Sequence, residues 1–331
     1  MRHLAANVLT IMVVAAVALG IAVRVAGDRV AAPGPLAADI VVTVPQGAGV
    51  ARISEILAEA GAIEEPMLFR LAARYSGQAQ ALKFGEYNLP AGASIEEILA
   101  KLTEGDTIEY RVTVAEGLSS WEIVELLRAE AALTGEIEEI PAEGTLAPDT
   151  YFIARGDERA AVIARMQAAQ ASILDEAWAR RDPGLPLESP EEALVLASIV
   201  EKETGVGEER AQVASVFVNR LNRGMPLQSD PTVIYGITEG RGSLGRGILR
   251  SELRQRTAWN TYTIPALPPT PIANPGRAAI EAVLSPADTP YLYFVADGTG
   301  GHAFAQTLEE HHANVRVWRR IEAERRAAEG Q

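Results

Sequence analysis

From Leu4 to Val23 the chain runs for 20 residues without a charge, broken only by Asn7, Thr10 and Gly20. As a helix rising about 1.5 Å per residue, such a run crosses a bilayer's hydrocarbon core of about 30 Å. No other feature restricts the chain so much, since hydrocarbon offers the backbone no hydrogen-bond partners and a lone segment must be helical there. Cleaved leaders usually carry a shorter apolar region, about 7–15 residues, ending at small residues. Here Arg24 follows the run directly, and Val25-Ala26-Gly27 is a poor cleavage signal. The expectation is an uncleaved single-pass anchor within residues 1–30, with a cleaved leader as the weaker alternative. Orientation is barely decided, because Arg2 and His3 precede the run while Arg24 and Arg29 follow it around Asp28. Residues 31–38, opening Ala31-Ala32-Pro33-Gly34-Pro35, read as a short stiff tether with nothing to pack.

The 331 residues leave room for roughly two domains of about 150 residues beyond the anchor. With 30 Lys+Arg against 44 Asp+Glu, the formal charge is −14, and no basic tract is available to displace counterions from a nucleic acid. The absence of Cys excludes disulfides, zinc ribbons, iron–sulfur clusters and thiol nucleophiles. Only His3, His302, His311 and His312 remain as imidazoles, with no H-E-x-x-H pattern, so neither a metal nor a cofactor is expected. Gly240-Arg241-Gly242-Ser243-Leu244-Gly245 matches a dinucleotide fingerprint but lacks the acidic residue about 20 positions later, and reads as a flexible loop.

An internal repeat organises the first half. Val42-Thr43-Val44-Pro45-Gln46-Gly47 precedes a helical pattern with Ile53, Ile56 and Leu57, and Val112-Thr113-Val114-Ala115-Glu116-Gly117 precedes one with Ile123, Leu126 and Leu127. A half-copy follows Phe84–Leu89 at Gly92–Leu99. Each reads as strand, glycine turn and amphipathic helix. Chance recurrence in an α+β domain and a glycan-binding module of the lysin-motif type both account for it. Farther on, residues 157–181 predict a long helix, and Ser189 with Glu192 has capping-box spacing with Pro190 suited to the first helical position. Five prolines between 260 and 276 demand an irregular extended loop. Residues 291–296 read as a strand, Asp297-Gly298 as a hairpin-like turn and 308–328 as a helix.

Chemistry is expected where the helix from Ser189 stops being apolar. Ala193–Val200 is apolar on every side, so it must be buried on every side, and Glu201-Lys202-Glu203 follows abruptly. Leu194, Ala197, Ser198 and Glu201 share one face at helical spacing. Burial and the negative end of the helix dipole would both keep a carboxyl there protonated, as a general acid requires. The plainer alternative is that Glu201 merely begins an exposed last turn. Gln228-Ser229-Asp230-Pro231-Thr232-Val233-Ile234-Tyr235-Gly236 offers sugar-hydroxyl partners on what reads as a Pro-kinked loop, though such loops are also ordinary surface.

Leu196–Thr204, Val213–Leu221, Leu227–Gly236, Asn260-Thr261-Tyr262, Leu267-Pro268-Pro269, Ile272–Gly276, Tyr291–Ala296 and Gly300-Gly301-His302, taken in order, resemble the MltG (YceG-like) endolytic murein transglycosylases. There are two departures. The aromatic usually found before the Pro of Leu146-Ala147-Pro148 is missing, and His312 stands where the family has Asn. The resemblance implies an α+β chain in family order: anchor, lysin-motif-like module (39–108), then catalytic domain (109–325). It implies cleavage of the β-1,4 bond between N-acetylmuramic acid and N-acetylglucosamine in nascent peptidoglycan, leaving 1,6-anhydro ends. It assigns the catalytic acid to Glu201, with Gln228, Asp230, Thr232, Tyr235, Asn260 and Tyr262 lining the substrate cleft. Glu203 and Asp230 are the nearby candidates for a second carboxylate, and His302 is either a hairpin residue or a sugar contact. The partners implied are glycan strands and membrane peptidoglycan synthases, at the inner membrane with the catalytic domain in the periplasm. A non-catalytic peptidoglycan-binding scaffold and a hydrolytic muramidase are the competing functions.

Overall fold

A computed structural model describes the backbone of residues 2–328 and 330, and the side chains of 9–327 and 330. In chain order the elements are α1 (Arg2–Ala31), β1 (Ile40–Val44), α2 (Val50–Glu59), α3 (Pro66–Tyr75), β2 (Gly85–Leu89), α4 (Ile95–Glu104), β3 (Glu109–Thr113), α5 (Ser120–Ala129), β4 (Thr150–Ala154), α6 (Arg159–Ala179), α7 (Pro190–Glu203), α8 (Arg210–Asn222), α9 (Asp230–Thr238), α10 (Arg250–Arg254), α11 (Arg277–Leu284), β5 (Tyr293–Ala296), β6 (His302–Ala305) and α12 (Leu308–Ala328). This is the mixed α+β composition expected. Among the described residues the strands pair only two by two, β1 with β2, β3 with β4 and β5 with β6, so helices build most of the core. The chain divides into two compact units. One holds residues 1–110 with 132–134 and 152–157, and the other holds the rest.

In the first unit β1 and β2 run antiparallel, Ile40 opposite Leu89 and Val44 opposite Gly85, with α2 and α3 between them in sequence. Val42, Val44, Tyr87 and Leu89 alternate inward and meet Ile53 and Leu57 of α2, Phe69 of α3 and Ile98 and Leu102 of α4. The repeat is real in the backbone. Gly47, Gly92 and Gly117 each take the left-handed conformation, at φ 76°, 70° and 76°, between a strand and its helix. Two of these helices are closed by full capping boxes, Ser94 with Glu97 and Ser119 with Glu122.

α1 carries a 23-residue span, Leu9–Ala31, long and apolar enough to cross a membrane. The tether differs from its expectation. Val30 and Leu36 pack on the first unit's core, the Gly34 N–H donates to Gly92 O at 3.0 Å, and the Gly92 N–H donates to Leu36 O at 2.9 Å. Proline-rich sequence signalled stiffness but not where its backbone groups would find partners.

In the second unit α7 is the central strut. Ala193 to Val200 are all buried, as the all-round apolar run requires, and α7 packs on α6, α8, α9 and α11. Its start departs from a full capping box: the Ser189 side chain accepts from the Glu192 N–H, but the Glu192 carboxylate accepts from the Glu188 N–H instead. Residues 228–236 are expected as a kinked loop, but from Asp230 onward the segment is helical, within α9. Pro231 sits in the first turn, where a missing N–H costs nothing.

Candidate active site

α7 ends with two carboxyls facing different surroundings. The Glu201 side chain is only 5% exposed. Its Oε2 accepts from the Gly276 N–H at 2.9 Å, and its Oε1 lies 3.8 Å from the Arg210 guanidinium, which also stands 3.9 Å from Glu116. Burial raises the Glu201 pKa; the Gly276 N–H pulls it back, Glu116 adds to the rise, and Arg210 and Lys202 oppose it. The segment around Gly276 is itself fixed. Asn274, fully buried, receives the Leu146 N–H and donates to Leu118 O, and Gln170 Nε2 donates to Pro275 O. Lys202, between the two carboxyls, donates to Gly117 O at 3.0 Å.

Glu203 meets a different set. Its Oε1 accepts from the Ser229 hydroxyl at 2.5 Å, directly before α9. Burial pushes its pKa up to about 7, with Asp230 adding to the rise and Ser229, His302 and Arg220 working against it. A carboxyl in that condition is substantially protonated at neutral pH. Asp230, exposed at the start of α9, accepts the Tyr262 hydroxyl proton at 2.7 Å. Burial and that bond to Asp230 both raise the Tyr262 pKa, so its O–H stays a donor.

The scaffold under this group is built of short polar ties. Gln228 holds a left-handed backbone (φ 53°), its N–H donating to Thr261 O at 3.1 Å. The Ser229 N–H donates to Thr261 Oγ1, and the Thr232 hydroxyl donates to Ser229 O. Asn260 is buried and gives its amide hydrogens to Glu252, Leu253 and Gln255 carbonyls, while its Oδ1 receives the Tyr262 N–H. Arg220, also buried, donates to Leu227 O and Leu292 O at 2.7 Å each and lies 5.2 Å from the Tyr293 ring centre. His302 Nδ1 pairs with Glu209 at 2.8 Å, and the same carboxylate accepts the His302 N–H.

Of the residues the sequence brings forward, Asp230 and Tyr262 therefore assemble with Glu203, through Ser229. Gln228 joins them through the backbone. Thr232 and Asn260 are buried and spend their polar groups on the scaffold. Tyr235 turns to Glu143 (3.3 Å) and to the Trp259 ring, 5.7 Å away. Glu201 stands apart from that group, with Gly276 and Arg210. The sequence missed Ser229, Arg220 and Glu209 as individual contributors, although Ser229 and Arg220 lie inside motif blocks already singled out. Among the described residues no cluster of three or more metal-binding side chains occurs.

The profile of the YceG-like family matches residues 42–317. The endolytic murein transglycosylase of Bacillus subtilis is 31% identical over 302 residues, covering 82% of each chain. That of Streptococcus pneumoniae (strain D39) is 31% identical over 325 residues, covering 83% of this chain and 58% of its own. Among solved structures, a yceG-like protein from Listeria monocytogenes aligns with TM-score 0.50 at 28% identity, covering 83% of this chain and 98% of that one.

Proposed function

The chain belongs to the YceG-like family, and on that premise we propose that it is an endolytic murein transglycosylase with Glu203 as its general acid and base. Its substrate is the β-1,4 bond between N-acetylmuramic acid and N-acetylglucosamine in glycan strands. Glu203 gives its proton to the glycosidic oxygen as the C1–O bond breaks. The muramic acid 6-hydroxyl then bonds to C1, and its proton passes to the Glu203 carboxylate, restoring the acid. The strand ends in a 1,6-anhydro sugar and no water is consumed. Because the substrate supplies the nucleophile, one carboxyl suffices where glycoside hydrolases need two.

The observation that carries this reading is the carboxyl raised to about 7 beside Ser229, Asp230 and Tyr262. Such a group is protonated often enough to act as an acid and acidic enough to serve as a base afterwards. Asp230 and the Tyr262 hydroxyl are at hand for sugar hydroxyls or the acetamido group. The sequence-based assignment to Glu201 is the second reading, supported by burial and a raised pKa. Against it, the group bonded to that carboxylate, the Gly276 N–H, and the guanidinium facing it, Arg210, favour its anion, with Glu116 opposing them.

The antiparallel β1–α2–α3–β2 order supports a lysin-motif-type role for the first unit, holding glycan for the second. The apolar α1 supports a single-pass membrane anchor; the glycan substrate of this reading places both units in the periplasm at the inner membrane, near the synthases that make nascent strands. Mass spectrometry of uncrosslinked strands incubated with the protein tests the activity. Ends one water lighter than reducing ends are expected. Reducing ends would make it a muramidase, and intact strands a binding scaffold.

A further inference from the structure

α3 reads Pro66-Met67-Leu68-Phe69-Arg70-Leu71-Ala72-Ala73-Arg74-Tyr75, and it carries two apolar faces rather than one. Phe69 and Ala73 are fully buried in the first unit's core, with Leu68 and Ala72 beside them. Met67, Leu71 and Tyr75, spaced four apart, form a second stripe that is 62%, 55% and 90% exposed. A small globular unit gains nothing by leaving such a stripe in water, at about 25 cal/mol per Å² of apolar surface.

Its position indicates what covers it. α3 packs directly against α1, the membrane-span candidate, and so does α4. Arg29, in the last turn of α1, pairs at 2.9 Å with Glu65, the residue that opens α3. Val30 enters the first unit's core, and the Gly34–Gly92 and Gly92–Leu36 bonds lock the chain that follows. Arg24, 82% exposed, is the first charge after the apolar run, and it marks headgroup level on α1. From Arg24 to Arg29 the helix rises only about 8 Å. The unit therefore cannot swing away from the bilayer, and α3 starts within that short distance of it. The rest of α3 is composed as interfacial helices are. Exposed Arg74 stands on the same side as Met67, and Tyr75 has the apolar body and polar tip favoured at the membrane–water boundary.

We propose that α3 is a membrane-surface helix, its Met67–Leu71–Tyr75 stripe seated in the lipid headgroup layer beside the anchor. This rests on α1 being a retained membrane span. The consequence is geometric: the first unit sits on the bilayer in one orientation, at the level where newly made strands leave the membrane.

The chain has no Cys, so single cysteines can be placed in the full-length protein and labelled with a nitroxide. The protein is reconstituted in phosphatidylethanolamine–phosphatidylglycerol nanodiscs, with labels at Leu71→Cys, at Val17→Cys within the span, and at the exposed Glu188→Cys as the water reference. Collision with oxygen, which concentrates in lipid, is compared with collision with a water-soluble nickel chelate. Oxygen dominating at both 71 and 17, with nickel dominating at 188, is the expected result. Nickel dominating at 71 while oxygen dominates at 17 overturns the surface helix and leaves the anchor intact. Low collision with both relaxants at 71 means a protein covers the stripe, and this also overturns the proposal. Nickel dominating at 17 removes the anchor, and the proposal falls with it.

Discussion

Glu201 and Glu203 leave α7 about 200° apart around the helix, so the same strut delivers two carboxyls to two environments. Glu201 enters a clamp made of main chain and an opposite charge, where its ionised form is useful: it holds the Gly276 N–H and faces Arg210. Glu203 enters a place where a hydroxyl is its nearest partner and Asp230 resists its ionisation. Burial raises both pKa values. Each also has an opposing carboxylate and basic groups near it, Glu116 with Arg210 and Lys202 for Glu201, Asp230 with His302 and Arg220 for Glu203. What separates the two is the donor each accepts from, a main-chain N–H or a hydroxyl. On the proposed function that difference suits one to holding structure and the other to moving a proton.

The largest effect the contrast requires is on turnover. Glu203→Gln should lower kcat by about 10²–10⁴-fold, the usual contribution of a general acid, with circular dichroism and unfolding midpoint unchanged or improved. A fully active Glu203→Gln would break the comparison. Next comes the clamp. Glu201→Ala strands a buried N–H and should cost about 1–3 kcal/mol in urea unfolding, whereas Glu201→Gln keeps an accepting oxygen and should cost much less. Equal losses would mean the clamp is not what Glu201 provides.

The pH dependence follows from the direction of the shift. Glu203 titrates at about 7 in the folded protein and near 4.5 unfolded. The unfolded chain therefore gives up its proton first, and stability falls as pH rises from about 4.5 to about 7. Glu203→Gln should flatten thermal melting across that window. Glu201 and Glu143, also raised, leave a residual slope of the same sign. The proposed acid also predicts activity that declines above about pH 7. Smallest of all, Tyr262→Phe removes the hydroxyl that Asp230 accepts. It should cost about tenfold in kcat/KM, the worth of one charge-assisted bond discounted for the exposure of Asp230. No change there would take Tyr262 out of the reacting group.

The sequence made the strut legible and left its ends ambiguous. An eight-residue apolar run from Ala193 to Val200 has one physical solution, and α7 adopts it. Periodicity then marked Glu201 as the continuation of a buried face, and it is buried, but periodicity carries no information about what the far side of each carboxyl will meet. That depended on Ser229, reached through the left-handed Gln228 and the Thr232–Thr261 ties, and on the Gly276 N–H. Those contacts join positions 26 and 75 residues distant from their carboxyls. The proline count correctly gave an irregular 260–276 segment but could not say that Asn260 would fix it through three carbonyls. The kinked-loop reading of 228–236 failed from Asp230 onward because Pro231 falls in a first turn rather than an interior one.

The most direct test sets wild type, Glu201→Gln and Glu203→Gln side by side on the same uncrosslinked glycan strands, counting 1,6-anhydro ends by mass spectrometry over time. Such ends are expected from wild type and from Glu201→Gln at comparable rates, and almost none from Glu203→Gln. Anhydro ends from Glu203→Gln with none from a folded Glu201→Gln would contradict this and return the acid to Glu201.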